Sequence, residues 1–234
     1  MKKSMVTLVA LFGLAVTATS AMAAPLLSYR VFEDNVLQGG LSSSSATGSL
    51  FSTGSTSFFS VVTGVAAGSP LLAEPSLIVQ NTAVSSLPNF GVGPHTLRLE
   101  FTQTGLSSLS AGGLLANLAS TLTANILTGS AGVLSVSIDN YADATNQAFN
   151  RATLLAGATF SNPGLDATPV ITRSLSLPNS LFSETIVITA RFAAGGAGIN
   201  ASSQIVAVPE PASLGLFGGA LLALGFLRRR RQNA

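Results

Sequence analysis

The feature that most restricts how this chain can fold is a two-residue alternation of apolar and polar side chains, broken repeatedly by Gly, Ser, Asn and Pro. In Leu97-Arg98-Leu99-Glu100-Phe101 the apolar positions are two apart. Successive side chains of a strand point to opposite faces, so Leu97, Leu99 and Phe101 are predicted to face a core and Arg98 and Glu100 to face water. The same rule sets Leu134, Val136 and Ile138 against Ser135 and Ser137, and Ile186, Ile188 and Ala190 against Val187, Thr189 and Arg191. Further strands are expected near Leu27 to Glu33, Ser49 to Val62, Ser76 to Thr82, Thr121 to Leu127 and Thr153 to Phe160, with turns at Gly39-Gly40, Gly129 to Gly132 and Pro163-Gly164. About eight strands with no long charged helix predict an all-β domain over 24–207, built as an antiparallel β-sandwich or jelly roll.

One segment is ambiguous. Leu115, Leu118, Leu122 and Ile126 fall at helical spacing, yet Thr121 to Ile126 also alternates as a strand. The expectation is a loop or short helix at Ala111 to Asn117, then a strand pairing with Val133 to Asp139 across a Gly-containing hairpin.

Composition closes most routes to catalysis. The chain has one His, no Cys and no Trp, and its only lysines are Lys2 and Lys3. Zinc chemistry therefore lacks ligands, and Ser-Lys chemistry lacks a lysine in any mature form. A Ser-His-Asp arrangement would depend on His95, beside Pro94 at the start of a predicted edge, and no GxSxG elbow is present. Two-carboxylate glycoside hydrolysis stays chemically open, but Glu33 and Asp34 diverge on a strand and Glu100 is predicted to face solvent. Asp139, Asn140, Asp143 and Asn146 offer oxygen ligands without EF-hand spacing, and read better as an Asx-rich turn. No catalytic, cofactor or metal residue is assigned.

The formal charge of +2 does not describe a nucleic-acid surface. Six of the basic residues are Lys2, Lys3 and Arg228 to Arg231, and the interior sets five arginines against eight carboxylates. The hydroxyl-rich stretch Ser42 to Ser45 and Thr47 to Ser57 reads as a surface loop entering a strand, of a kind that can also bind glycans.

The two ends carry the addresses. Lys2 and Lys3 precede an apolar run from Met5 to Val16 and then Ala21-Met22-Ala23, a secretory signal over 1–23 with cleavage expected between Ala23 and Ala24. At the other end stand Val208-Pro209-Glu210-Pro211, an uncharged stretch from Ala212 to Leu227, and Arg228, Arg229, Arg230 and Arg231. Pro209 and Pro211 deny helix hydrogen bonds, so a helix begins at or after Pro211 and the strip before it is extended. Sixteen helical residues rise roughly 24 Å, short of the ~30 Å hydrocarbon core, which makes a marginal transmembrane anchor. The arginines hold the tail on the cytoplasmic side and place the preceding domain outside. Gly215 and Gly219 form a GxxxG pair that would permit close helix approach.

The order VPEP, short Gly-rich helix, arginine cluster resembles the PEP-CTERM sorting signal of Gram-negative bacteria, with Pro209, Glu210 and Pro211 matching its tripeptide. The resemblance covers 208–234. It implies recognition by an exosortase, a membrane-embedded cysteine protease or transpeptidase that removes the helix, and an association with exopolysaccharide and biofilm matrix. The expectation is a protein exported through the inner membrane, held by its C-terminal helix, then processed and delivered to the envelope exterior or matrix as a non-catalytic component. The alternative is a carbohydrate-binding or carbohydrate-cleaving domain.

Overall fold

The computed structural model describes residues 24–161 and 166–208. Fourteen strands occur among them: β1 (Leu26–Glu33), β2 (Val36–Leu37), β3 (Ser43–Ser45), β4 (Ser49–Ser55), β5 (Phe59–Ala67), β6 (Ser76–Ser86), β7 (His95–Ser107), β8 (Leu115–Thr128), β9 (Val133–Asp143), β10 (Thr153–Phe160), β11 (Asp166–Ala167), β12 (Ile171–Ser176), β13 (Leu181–Phe192) and β14 (Gly198–Ala207). Two antiparallel sheets result. The first runs β10-β9-β13-β7-β1-β2 with β3 also on β1, and the second runs β11-β8-β14-β6-β5-β4 with β12 also on β8. The all-β expectation holds. The described residues contain no α-helix, and no helix long and apolar enough to cross a membrane. The predicted leader 1–23, the turn at Pro163-Gly164 and the helix 212–227 lie outside the described residues.

Alternation explains the core. Leu27, Tyr29 and Val31 of β1, Leu97, Leu99 and Phe101 of β7, and Ile186, Ile188 and Ala190 of β13 line the inner face of the first sheet. They meet Leu77, Val79, Leu118, Leu122, Ile199 and Ile205 of the second. Tyr29 stacks on Phe101 with centroids 4.7 Å apart. Each fully buried Leu, Ile or Phe is worth roughly 1.5–3 kcal/mol, so this interlayer is the main source of stability.

Four expectations are corrected. Ser49 to Val62 is not one strand but two, because the chain reverses at Thr56 to Phe58, where Thr56 N–H donates to the Phe59 carbonyl at 2.8 Å. Leu134 does not join Val136 and Ile138: a register shift between β13 and β9 leaves it without a ladder partner, and it is exposed. The loop expected at Ala111 to Asn117 is a turn that ends at Leu114, so β8 begins at Leu115, and it does not pair with β9. Gly129, in the left-handed region at φ 60°, opens a 3-10 turn over Ser130–Gly132 that carries the chain into the opposite sheet. A Cβ at Gly129 would lie 2.9 Å from the Gly196 carbonyl, which excludes a larger residue at this corner. Finally, Glu100 does not face water; it is fully buried, on the outer face of its sheet but under a covering loop.

The register also fixes the molecule's ends. Leu26 pairs with Thr104 near the close of β7, Val206 pairs with Ser76 at the start of β6, and Ser107 N–H donates to Glu74 Oε2 at 3.1 Å across the sheets. The first and last strands therefore open on the same pole of the sandwich. Asp34, Phe58, Phe90 and His95 cluster at the other.

Candidate functional site

The sorting residues Pro209, Glu210, Pro211 and Arg228 to Arg231, with Ala23 at the leader boundary, lie outside the described residues; Ala24 is described and exposed. What the structure places is the segment that delivers them. β14 lies between β8 and β6, hydrogen-bonded on both sides. Its order continues beyond the strand, because Ala207 N–H donates to the Pro75 carbonyl at 3.3 Å and Val208 N–H to the Asn117 carbonyl at 2.7 Å. Folded structure thus reaches the residue immediately before Pro209. Beside this exit is a groove of about 550 Å³ lined by Pro75, Leu109, Ala111 and Val206 to Val208.

A second constellation occupies the outer face of the first sheet. Cross-strand register sets Arg30 against Glu100, and Phe32 against Arg98. Arg30 Nε donates to Glu100 Oε2 at 2.5 Å, Arg98 Nε lies 2.8 Å from Oε1, and Arg151 bonds Oε1 from the β9–β10 loop. The Arg30 guanidinium lies 3.9 Å from the Phe149 ring and 5.2 Å from Phe32, and Arg98 lies 4.2 Å from Phe32. Three partly exposed cations share one fully buried carboxylate, leaving an excess of positive charge on pre-set guanidinium planes. Next to Arg30, a groove of about 390 Å³ is lined by Ser28, Leu37, Ser42, Ser43, Ser44 and Phe149. Two groups on the same face also respond. Burial raises the Asp139 carboxyl above its ordinary pKa against the pull of Arg151, and burial together with the Asp139 charge raises Tyr141.

The loop that brings Phe149 and Arg151 here is stapled. Asp143 accepts from Thr145 N–H at 3.1 Å, Thr145 Oγ1 at 2.6 Å and Gln147 N–H at 3.0 Å. Burial alone would raise the Asp143 carboxyl, but these bonds and one from Asn150 outweigh it and hold the pKa below the usual value. Asn146 Oδ1 accepts from Gly105 N–H at 2.7 Å, and Phe149, at φ 60°, donates its N–H to Thr102 Oγ1 at 3.2 Å. The four oxygen-bearing residues Asp139, Asn140, Asp143 and Asn146 therefore do not converge. Asn140 points inward, accepting from Ser203 Oγ at 2.8 Å, and Asp143 caps its own loop as an Asx turn. Among the described residues no group of three or more His, Cys, Asp or Glu is placed to hold a metal ion.

His95 opens β7, a central strand and not an edge. Its Nδ1 lies 2.6 Å from Asp34 Oδ2, and its ring stacks on Phe58 at 3.8 Å. Nε2 is buried without a hydrogen-bond partner, so no hydroxyl completes a triad with the Asp34–His95 pair. Asp34 also accepts from Thr96 N–H at 2.8 Å, and Glu33 accepts from Phe58 N–H at 2.9 Å, which gives both carboxylates structural partners.

Sequence reading missed the Arg–Glu–Phe cluster. The opposed charges of Arg30, Arg98 and Glu100 were visible, but their convergence needed the β1–β7 register, and nothing local marks Phe149 or Arg151.

Comparison with known proteins identifies the C-terminal segment. Residues 207–231 match the family model described as the PEP-CTERM protein-sorting motif. No curated protein matches the chain. Among solved structures, the adhesin domain of Epf from Streptococcus pyogenes aligns at 14% identity and a TM-score of 0.27, over 70% of this chain and 59% of that one. A family two carbohydrate esterase from Cellvibrio japonicus aligns at 14% identity and a TM-score of 0.17, over 69% of this chain and 34% of that one. Likenesses so loose constrain neither fold nor chemistry.

Proposed function

We propose, starting from a chain that carries the PEP-CTERM protein-sorting motif at residues 207–231, that it is a non-catalytic envelope or matrix component of the cell exterior. The motif implies an exported protein that an exosortase recognises and sorts. The finer reading is that the C-terminal helix 212–227 first holds the protein in the inner membrane with its tail cytoplasmic, and that cutting near Pro209 to Pro211 then passes the β-domain outward, in association with exopolysaccharide.

The observation that carries this reading is the motif's position directly after a strand that completes a closed, two-sheet core. The polypeptide has an address at one end and a self-sufficient passenger before it. Replacing Pro209, Glu210 and Pro211 by alanine in cells that contain an exosortase is expected to accumulate a larger, membrane-bound species. Unchanged processing would refute recognition of that strip.

A second reading, carbohydrate binding, is favoured by the groove beside Arg30. Serine hydroxyls, an aromatic ring and a guanidinium line it together, and these are groups that hydrogen-bond, stack on and charge-pair with acidic sugars. Arg30→Ala should then release an acidic polysaccharide that the unaltered protein retains, and equal retention by both would remove this reading.

A further inference from the structure

The exit of the chain leaves almost no slack between the folded domain and the membrane. Val208 is fixed to the Asn117 carbonyl at 2.7 Å, and the uncharged stretch begins at Ala212. Only Pro209, Glu210 and Pro211 intervene, and the four extended steps from Val208 to Ala212 span at most about 14 Å. The polar zone on each side of a bilayer's hydrocarbon core is itself roughly 5–8 Å thick. A domain so closely followed by a membrane stretch cannot stand clear of the lipid surface.

The pole that must lie there is dressed for it. Leu109 and Leu114, on the β7–β8 turn, are 82% and 71% exposed, and Leu71, on the β5–β6 loop, is 60% exposed. Leu109 lines the groove that also contains Pro75 and Val208, and Leu114 is tied beside it through its carbonyl, which accepts from Leu177 N–H at 2.9 Å. The loops 69–75, 108–114 and 177–180 contain one charged residue, Glu74, and loop 144–152 at the same pole contains Arg151, which is paired with Glu100. The Glu74 carboxylate is turned inward, accepting from Ser69 Oγ at 3.1 Å and Ser107 N–H at 3.1 Å. Exposed leucines with no free charge among them cost energy in water and gain it at the boundary between headgroups and acyl chains.

We propose that, before processing, this pole docks on the bilayer surface, with Leu109 and Leu114 seated in the lipid interface beside the tether. The inference rests on the reading of 212–227 as an anchor, and adds to it a defined orientation. The Asp34–His95 pole then faces away from the membrane.

The test exploits the absence of cysteine from the sequence. Leu109→Cys, Leu114→Cys, Val92→Cys and Gly219→Cys, each in the full chain and labelled with an environment-sensitive fluorophore, are reconstituted in phosphatidylethanolamine–phosphatidylglycerol vesicles. Val92 is fully exposed at the opposite pole and serves as the water reference. Blue-shifted emission, quenched by spin-labelled lipid at 109, 114 and 219 but not at 92, is the expected result. If 219 is quenched while 109 and 114 match 92, docking is overturned and the anchor stands. If 219 also reads as water, the anchor fails and docking with it. Quenching at all four positions overturns a defined orientation. Shielding of 109 and 114 only in membranes containing an exosortase overturns lipid as the occupant in favour of the enzyme.

Discussion

Glu184 offers the sharpest test of how this core is balanced. It sits on β13 opposite Gln103 of β7, fully buried, and neither of its carboxylate oxygens has a hydrogen-bond partner. Gln103 is held by its Nε2, which donates to the Ser69 carbonyl at 2.7 Å, while its Oε1 also lacks a donor. Burial pushes the Glu184 carboxyl well above the ordinary glutamate pKa. The neutral acid also carries an O–H donor, which the carboxylate lacks.

The folded protein therefore keeps a proton that the unfolded chain releases near pH 4.3. Above that pH the native state binds more protons than the unfolded state, so stability falls as pH rises. The contribution is fully present below the unfolded pKa and is lost as pH climbs through the folded one. Glu184→Gln keeps shape and donor but carries no titrating proton. Its stability relative to the unaltered protein should rise by about 1.4 kcal/mol per pH unit across that window. For a chain of this size about 1 kcal/mol moves the melting temperature by roughly 2–4 °C, so the gap should widen by ~3–5 °C per unit. Melting both proteins at pH 5, 6 and 7 by circular dichroism reads this directly. Parallel curves would show that Glu184 ionises without penalty, and the account of this layer would be wrong.

Two further perturbations address the outer face of the first sheet. Glu100→Ala leaves Arg30, Arg98 and Arg151 without their shared anion; the expected loss is about 2–3 kcal/mol in urea unfolding, below a fully buried pair because the arginines are partly wet. An unchanged urea midpoint would mean that solvent alone satisfies the three guanidiniums. Asp143→Ala removes the bonds that staple the loop carrying Phe149, at a cost of about 1–3 kcal/mol at pH 7. Because the Asp143 pKa is depressed, that stabilisation is present above the unfolded value near 3.9 and fades as pH falls through the folded one, so the variant should converge on the unaltered protein in acid.

How much of this could be read from sequence depended on whether the deciding contact was local. Period-two alternation located β1, β7 and β13 and their inward residues, because burial of one sheet face is written into every second side chain. It misplaced Leu134, where a bulge resets the parity, and Glu100, where the face away from the core is covered by a loop some fifty residues further along. The β8–β9 corner was legible as a glycine turn but not as a change of sheet, since a hairpin and a corner use the same residues. The sorting motif was legible in full because its parts are contiguous.

That contiguity has a structural counterpart. The described core draws its buried members from Leu27 through Ile205, and β14 is bonded to β8 and β6 along its length. Loss of everything after Val208 would leave those ladders and that interlayer in place. Tension transmitted through the tail would also run along β14 and load both ladders in shear, many hydrogen bonds at once, instead of opening them one by one. An edge strand such as β4, paired on one side only, would offer half of that support.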